Sequence, residues 1–151
     1  MSKIIISDTS CLIILSKINE LDLLHRMYGK VITTAEVANE FGESLPEWVE
    51  IRIASDAYRQ RILELQIDKG EASTIALAIE LTDSVVILDD YKARKIAESL
   101  GIQIIGTIGV IISAKKLGVI ESIKPYIQKI RQTNFRISED IEKRALEESG
   151  E

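Results

Sequence analysis

Five acidic side chains stand where carboxylates can do chemistry: Asp8, Glu40, Glu71 and the adjacent Asp89 and Asp90. Asp8 follows the apolar run Ile4-Ile5-Ile6-Ser7, and the Asp pair follows Ser84-Val85-Val86-Ile87-Leu88. Glu40 and Glu71 each lie in a helical pattern entered from a strand or loop. Carboxylates gathered without a cation repel one another and take up protons. A set of hard oxygen donors suits Mg²⁺ or Mn²⁺. One cysteine and one histidine give no Cys/His cluster for zinc. Each acid also has a plain structural use. Asp8 and one of Asp89 and Asp90 suit helix N-caps. Asp68 and Glu71 have capping-box spacing, and Glu40 suits a solvated helix face. Spacing alone leaves metal binding and capping both open.

The elements that hold these acids follow from pattern. Short β-branched runs near residues 4–7, 30–33, 84–88 and 102–105 read as strands buried in a parallel sheet. If the first and third of these are neighbours, their terminal acids meet at the carboxyl edge, where ligands of open α/β sheets bind. Helices are expected over about 9–18, from Leu21 to the stop at Gly29, and from Thr34 to Gly42. Thr33 and Glu36 have the spacing of a capping box, which gives Glu36 a structural task; Glu40 lies one turn on, without one. Pro46-Glu47-Trp48-Val49 reads as a further helix start. Residues 55–67 are ambiguous. Further helices are expected over 68–81, 91–100, 107–117 and 120–132, with Phe135-Arg136-Ile137 extended and Ser138 capping a last helix to about Glu148. Strands alternating with helices imply one three-layer α/β domain with four or five parallel strands.

At 151 residues the chain suits a single domain spanning 1–151. A net charge of −5 excludes a broad basic surface but not a local patch. Lys92, Arg94 and Lys95, with Lys115, Lys116, Lys129 and Arg131, are candidates for a basic rim that contacts phosphates; an ordinary solvated helix face explains them equally well. The lone Cys11 fits a reducing, cytoplasmic setting, no signal peptide is expected, and no apolar run is long enough to cross a membrane. His25 is expected at the surface with no catalytic role.

The acid-bearing stretches resemble the motifs of PIN-domain nucleases. Asp8-Thr9-Ser10-Cys11-Leu12-Ile13 is similar to their DTSxLI opening, and Val37-Ala38-Asn39-Glu40 to their VxxE helix. Gly70-Glu71-Ala72-Ser73-Thr74-Ile75-Ala76-Leu77-Ala78 is similar to GEAxxIALA. Leu88-Asp89-Asp90-Tyr91-Lys92-Ala93-Arg94, with Gly106-Thr107-Ile108-Gly109, is similar to LDDxxAR…xGTxG. Phe135-Arg136-Ile137-Ser138 resembles the FRIS segment of one prokaryotic branch. The resemblance spans nearly the whole chain. It implies a three-layer α/β/α PIN-like fold and Mg²⁺- or Mn²⁺-dependent hydrolysis of RNA, with Asp8, Glu40, Glu71 and Asp90 as catalytic metal-site acids. Asp89 belongs to the same acidic set; Asp90 is favoured for the metal and Asp89 for capping or support. Ser10 is expected to orient Asp8, and Arg94 matches the family's AR position, for phosphate or for bracing a carboxylate.

The same resemblance implies a homodimer and, as one role, the toxin of a toxin–antitoxin pair bound by a small antitoxin. The apolar residues of 21–27 and 47–53 would serve as such a surface or as core. A non-catalytic PIN-like scaffold for RNA or protein is the alternative. Phosphotransferases of the haloacid-dehalogenase type need a second acid two residues after the first, and Ser10 stands there. A receiver domain would carry its acidic pair early; here the pair is late.

Overall fold

The computed structural model describes residues 3–151. Isoleucine and valine fill the central strands, and the pleat sends alternate side chains to opposite faces. β1 (Ile4–Ser7) and β4 (Ser84–Ile87) lie side by side and parallel, with Ile5 opposite Val85 and Ser7 opposite Ile87. Ile5, Val85 and Ile87 enter one core, whereas Ile4, Ile6, Val86 and Leu88 enter the other. β2 (Val31–Thr34) lies on the far side of β1, β3 (Val49–Arg52) beyond it, and β5 (Gln103–Ile105) beyond β4. The order β3-β2-β1-β4-β5 is parallel throughout. The chain builds outward from β1 to β3, returns to β4 and leaves toward β5. The direction of winding therefore reverses between β1 and β4, where a crevice opens at the carboxyl ends of the strands.

Helices cover both faces and make the three-layer α/β/α architecture. α1 (Thr9–Lys17), α2 (Asp22–Tyr28), α7 (Thr107–Lys116), α8 (Lys124–Arg131) and α9 (Glu139–Ser149) supply the first core. α5 (Lys69–Glu80) and α6 (Tyr91–Ser99) supply the second, and α4 (Ala57–Leu63) packs on α5. α3 (Ala35–Phe41) follows β2 directly and also packs on α5.

Several expectations need correction. No helix starts at Pro46. The Trp48 carbonyl accepts the Val31 N–H at 3.1 Å, and Val49 begins the edge strand β3. The open edge of β2 needs backbone partners, and that need outweighs a local proline signal. Thr33 and Glu36 form no capping box, because β2 runs one residue further. Thr34 is the N-cap of α3, and Thr33 Oγ1 instead donates to the Ser7 carbonyl at 2.8 Å. Glu36 accepts from Gln60 on α4. The helix expected over 120–132 starts later, at Lys124, with Pro125 in its first turn. The ambiguous stretch holds α4. Ser138 caps α9 as expected, its hydroxyl accepting the Ile141 N–H at 3.1 Å.

A buried relay of hydroxyls locks α3 to α5. The Val37 N–H donates to Thr34 Oγ1 at 3.1 Å, and Ser73 Oγ donates to the Gly70 carbonyl at 2.8 Å. A hydroxyl has one hydrogen, so Ser73 must accept the proton of Thr34 across their 2.7 Å contact. Thr74 Oγ1 donates to the same Gly70 carbonyl at 2.8 Å. Ser73→Ala strands the Thr34 hydroxyl without an acceptor. It is expected to cost about 1–3 kcal/mol, read by urea unfolding. An unchanged midpoint would show that the relay does not hold the helices together.

Candidate active site

Asp8 lies just past β1, 4% exposed, its N–H bonded to the Ile87 carbonyl at 3.0 Å. It occupies the N-cap position of α1, yet its carboxylate makes no capping hydrogen bond. Oδ1 is buried with no partner. Capping therefore does not account for this side chain, and an unpaired buried carboxylate oxygen calls for a proton or a cation. Burial pushes Asp8 up to about 7. The Thr9 amide pulls it back without reaching hydrogen-bond geometry, and the charges of Glu71, Asp68 and Glu40 raise it further.

Glu71 is the third residue of α5. Its N–H donates to Asp68 Oδ1 at 2.8 Å, and its Oε1 accepts the Asp68 N–H at 3.2 Å, completing the expected capping box. Partial burial nevertheless pushes Glu71 up to about 7, opposed by the Asp68 amide and reinforced by the charges of Asp68, Asp90 and Glu40. Capping and membership of the acidic site coexist here.

Glu40, near the end of α3, is exposed but held: Thr9 Oγ1 donates to its Oε2 at 3.1 Å. A Cβ built on Gly70 would stand 2.1 Å from Oε1. The carboxylate of Glu40 thus occupies the space that a side chain at position 70 would fill. Thr9 and Gly70 are site-shaping residues that the sequence reading did not single out. Their only signal there is adjacency, each standing beside an acid within a motif.

Within the Asp pair the capping role falls to the other residue than expected. Asp90, not Asp89, caps the helix that follows, Oδ2 accepting the Ala93 N–H at 3.0 Å. Asp89 reaches the start of α7, its Oδ1 accepting the Thr107 N–H at 2.8 Å and its Oδ2 the Thr107 hydroxyl at 2.6 Å. Asp90 is exposed and its charge reaches Glu71. Arg94 makes no ion pair among the described residues; Nη1 donates to the Leu88 carbonyl at 2.7 Å and braces the turn from β4 to α6. Ser10 sits half-buried in the first turn of α1 and makes no hydrogen bond to Asp8 among the described residues.

Asp8, Glu40, Glu71 and Asp90 thus share one electrostatic field at the β1–β4 crevice. Their donors are all oxygen, and the orphaned Oδ1 of Asp8 needs a positive partner, so the residues fit a hard divalent cation in kind. As they lie, no three carboxylates among the described residues are close enough to share one ion. Glu40 and Asp90 are both exposed on their helices, and Asp89 is drawn away by Thr107.

Three members of the expected basic rim are committed elsewhere. Lys115 pairs with Glu151 at 3.0 Å, Lys129 with Glu20 at 3.4 Å and Arg131 with Glu142 at 2.6 Å. Lys92, Lys95 and Lys116 are exposed. Leu23 and Leu24 are fully buried and Trp48 packs beside them, so residues 21–27 serve the core; Ile51 and Ile53 remain exposed beyond it. His25 stacks on Trp48, ring centroids 5.2 Å apart. Cys11 is buried and pushed up to about 12, chiefly by burial, which leaves it inert as a nucleophile.

A parallel α/β sheet with a set of acids gathered at its winding reversal is the class that fold and site define. A family model described as a PIN domain matches residues 4–151, and the chain belongs to the PIN-domain family. PIN domains are in general nucleases and typically use divalent metals. Comparison with curated proteins found no match. No helix among the described residues is long and apolar enough to cross a membrane.

The raised Asp8 has a sign-definite consequence for stability. Between its ordinary 3.8 and about 7, the folded protein holds a proton that the unfolded chain has lost. Asp8's contribution without metal therefore falls as pH rises through that window and levels off above it. Asp8→Asn is expected to remove this fall, leaving the variant more stable than the parent at pH 8 by about 2–4 kcal/mol. Urea unfolding of both proteins with a chelator from pH 4 to 8 reads the difference, and a difference independent of pH would refute the assignment.

Proposed function

We propose that the protein is a Mg²⁺- or Mn²⁺-dependent endoribonuclease that hydrolyses RNA phosphodiester bonds. The observation that carries this reading is the buried, unpartnered Oδ1 of Asp8 within the field of Glu40, Glu71 and Asp90. A divalent cation bound there would supply Lewis-acid polarisation of the phosphate and activation of water. The chain's own residues supply placement. Asp8 is fixed by β1 and by burial. Glu71 is fixed by its capping box, with Oε2 left free of it. Thr9 holds Glu40 over Gly70, and Asp90 keeps Oδ1 free while Oδ2 caps α6. Asp89 holds α7 in place and Arg94 fixes the turn that carries both aspartates. Ser10, on the first turn of α1, faces substrate or supports Asp8 once the site is charged.

Membership of a family many of whose prokaryotic members are toxins supports a wider setting: a cytoplasmic, homodimeric toxin restrained by a small antitoxin. The scaffold reading, with RNA or protein bound and no cleavage, has one observation on its side: no three carboxylates among the described residues are placed to share an ion.

Two measurements separate these. Mn²⁺ is expected to raise the melting temperature of the parent and not of Asp8→Asn. Asp8→Asn, still folded, is expected to lose at least the ~10–100-fold in RNA cleavage that removal of a mere supporting group costs. Parent protein that binds RNA without cutting it, at any divalent metal tried, would establish the scaffold instead. Gly70→Ala isolates geometry from charge. The new Cβ displaces the Glu40 carboxylate, while the helix gains up to about 1 kcal/mol in propensity. Unchanged or higher stability with about tenfold weaker Mn²⁺ affinity is expected; calorimetric titration showing parent-like affinity would remove Glu40 from the site.

A further inference from the structure

Beyond Asp89 the crevice opens into a cavity of about 630 Å³. One wall comes from Arg94 and the segment Ile104–Gly109; the other comes from Phe135–Ile137 and the inner side of α9, including Arg144. Three arginines line it against two carboxylates, Asp89 and Glu148, on a chain whose net charge is −5. Both oxygens of Asp89 are already taken by Thr107. Arg136 and Arg144 are exposed and make no ion pair or hydrogen bond among the described residues. They differ in this from Arg131, which is held by Glu142. A second hollow, of about 850 Å³, shares Phe135, Arg136, Ile137 and Ile141 with the first, so the depression continues past Arg136.

Unpaired guanidinium groups in a groove recognise anions with paired oxygens, phosphodiesters above all. A hollow of this volume takes one or two nucleotides, not a turn of duplex. Phe135 offers a half-buried ring in the same wall, and every base has a face to set against an aromatic ring. We infer that Arg136 and Arg144, beside the Arg94-braced turn, are positioning residues that hold the phosphodiester backbone of single-stranded RNA as it leaves the acidic site. This inference rests on the ribonuclease reading for the strand's identity, but its binding step needs neither Asp8 nor a metal.

The test is fluorescence anisotropy with a labelled single-stranded oligoribonucleotide of mixed sequence, in chelator, over a range of salt. Arg136→Gln/Arg144→Gln is compared with the parent and with Arg59→Gln, a charge removed from α4 on the other side of the sheet. The double variant is expected to bind at least tenfold more weakly, with a log–log salt slope shallower by about 1.4. Arg136→Lys/Arg144→Lys is expected to restore the slope. In cleavage assays the double variant is expected to raise KM with little change in kcat. Circular dichroism melting confirms that each variant folds, and single Arg144→Gln stands in if the double variant does not. Parent-like affinity and slope in the double variant overturn the inference, as does parent binding to duplex RNA as tight as to the single strand. A polyglutamate peptide that displaces the RNA at comparable concentration would assign the groove to an acidic protein partner instead. Arginine-dependent binding by a parent that never cleaves would defeat the nuclease reading and leave the groove standing. Unaltered KM with metal-dependent cleavage would do the reverse.

Discussion

A carboxylate buried at the end of the central strand, with one oxygen facing no partner, is the constraint on which the rest of the structure turns. The parallel sheet places Asp8 there, because β1 is flanked on both sides and its last residues are buried. Burial of an unpaired anion is among the costliest arrangements a fold can hold. It persists because the surroundings are rigid: β4 binds the Asp8 backbone, and the Thr34–Ser73–Gly70 relay fixes the two helices that bring the other acids. Strain of this kind collects at functional sites, where stability is exchanged for chemistry.

Helix capping and ion binding first look like rival accounts of these acids. They need not be, because the hydrogen bonds of the structure engage single oxygens. The capping box engages Oε1 of Glu71 and leaves Oε2 free; the cap of α6 engages Oδ2 of Asp90 and leaves Oδ1 free. Thr9 engages Oε2 of Glu40 and leaves Oε1 free. Asp89 alone has both oxygens engaged, and both by Thr107. Caps in this protein thus act as mounts that orient a carboxylate while sparing one oxygen. That division also ranks the Asp pair by available lone pairs and not by chain position.

Much of this was legible in the sequence, for identifiable reasons. The β-branched runs at residues 4–7 and 84–87 leave little alternative to buried strands, and an acid follows each within two residues. The Asp68–Glu71 box is written in four consecutive residues. What failed was whatever depended on a distant partner. Val49–Arg52 becomes a strand because β2 offers an edge, and nothing in Pro46-Glu47-Trp48 announces that edge. Thr33 lost its capping role to a hydrogen bond with Ser7, 26 residues away in sequence. Gly70 matters through Glu40 and Arg144 through a cavity, and both relations exist only in three dimensions.

A cation bound at Asp8 would compete with a proton for the same oxygens. A group held near neutrality by burial is partly protonated in metal-free protein at pH 7, so a cation entering the site must displace that proton. Neighbouring charge sharpens the competition, since each carboxylate that ionises makes the next harder to ionise. A divalent cation held by Asp8 and its neighbours would reverse the sign of that coupling and favour the ionised carboxylates. Glu40 on α3 and Asp90 at the cap of α6 are exposed, whereas Asp8 is buried. Asp8 is therefore the acid whose proton a bound cation would have to replace, and the charges of its neighbours set how strongly that replacement would be favoured.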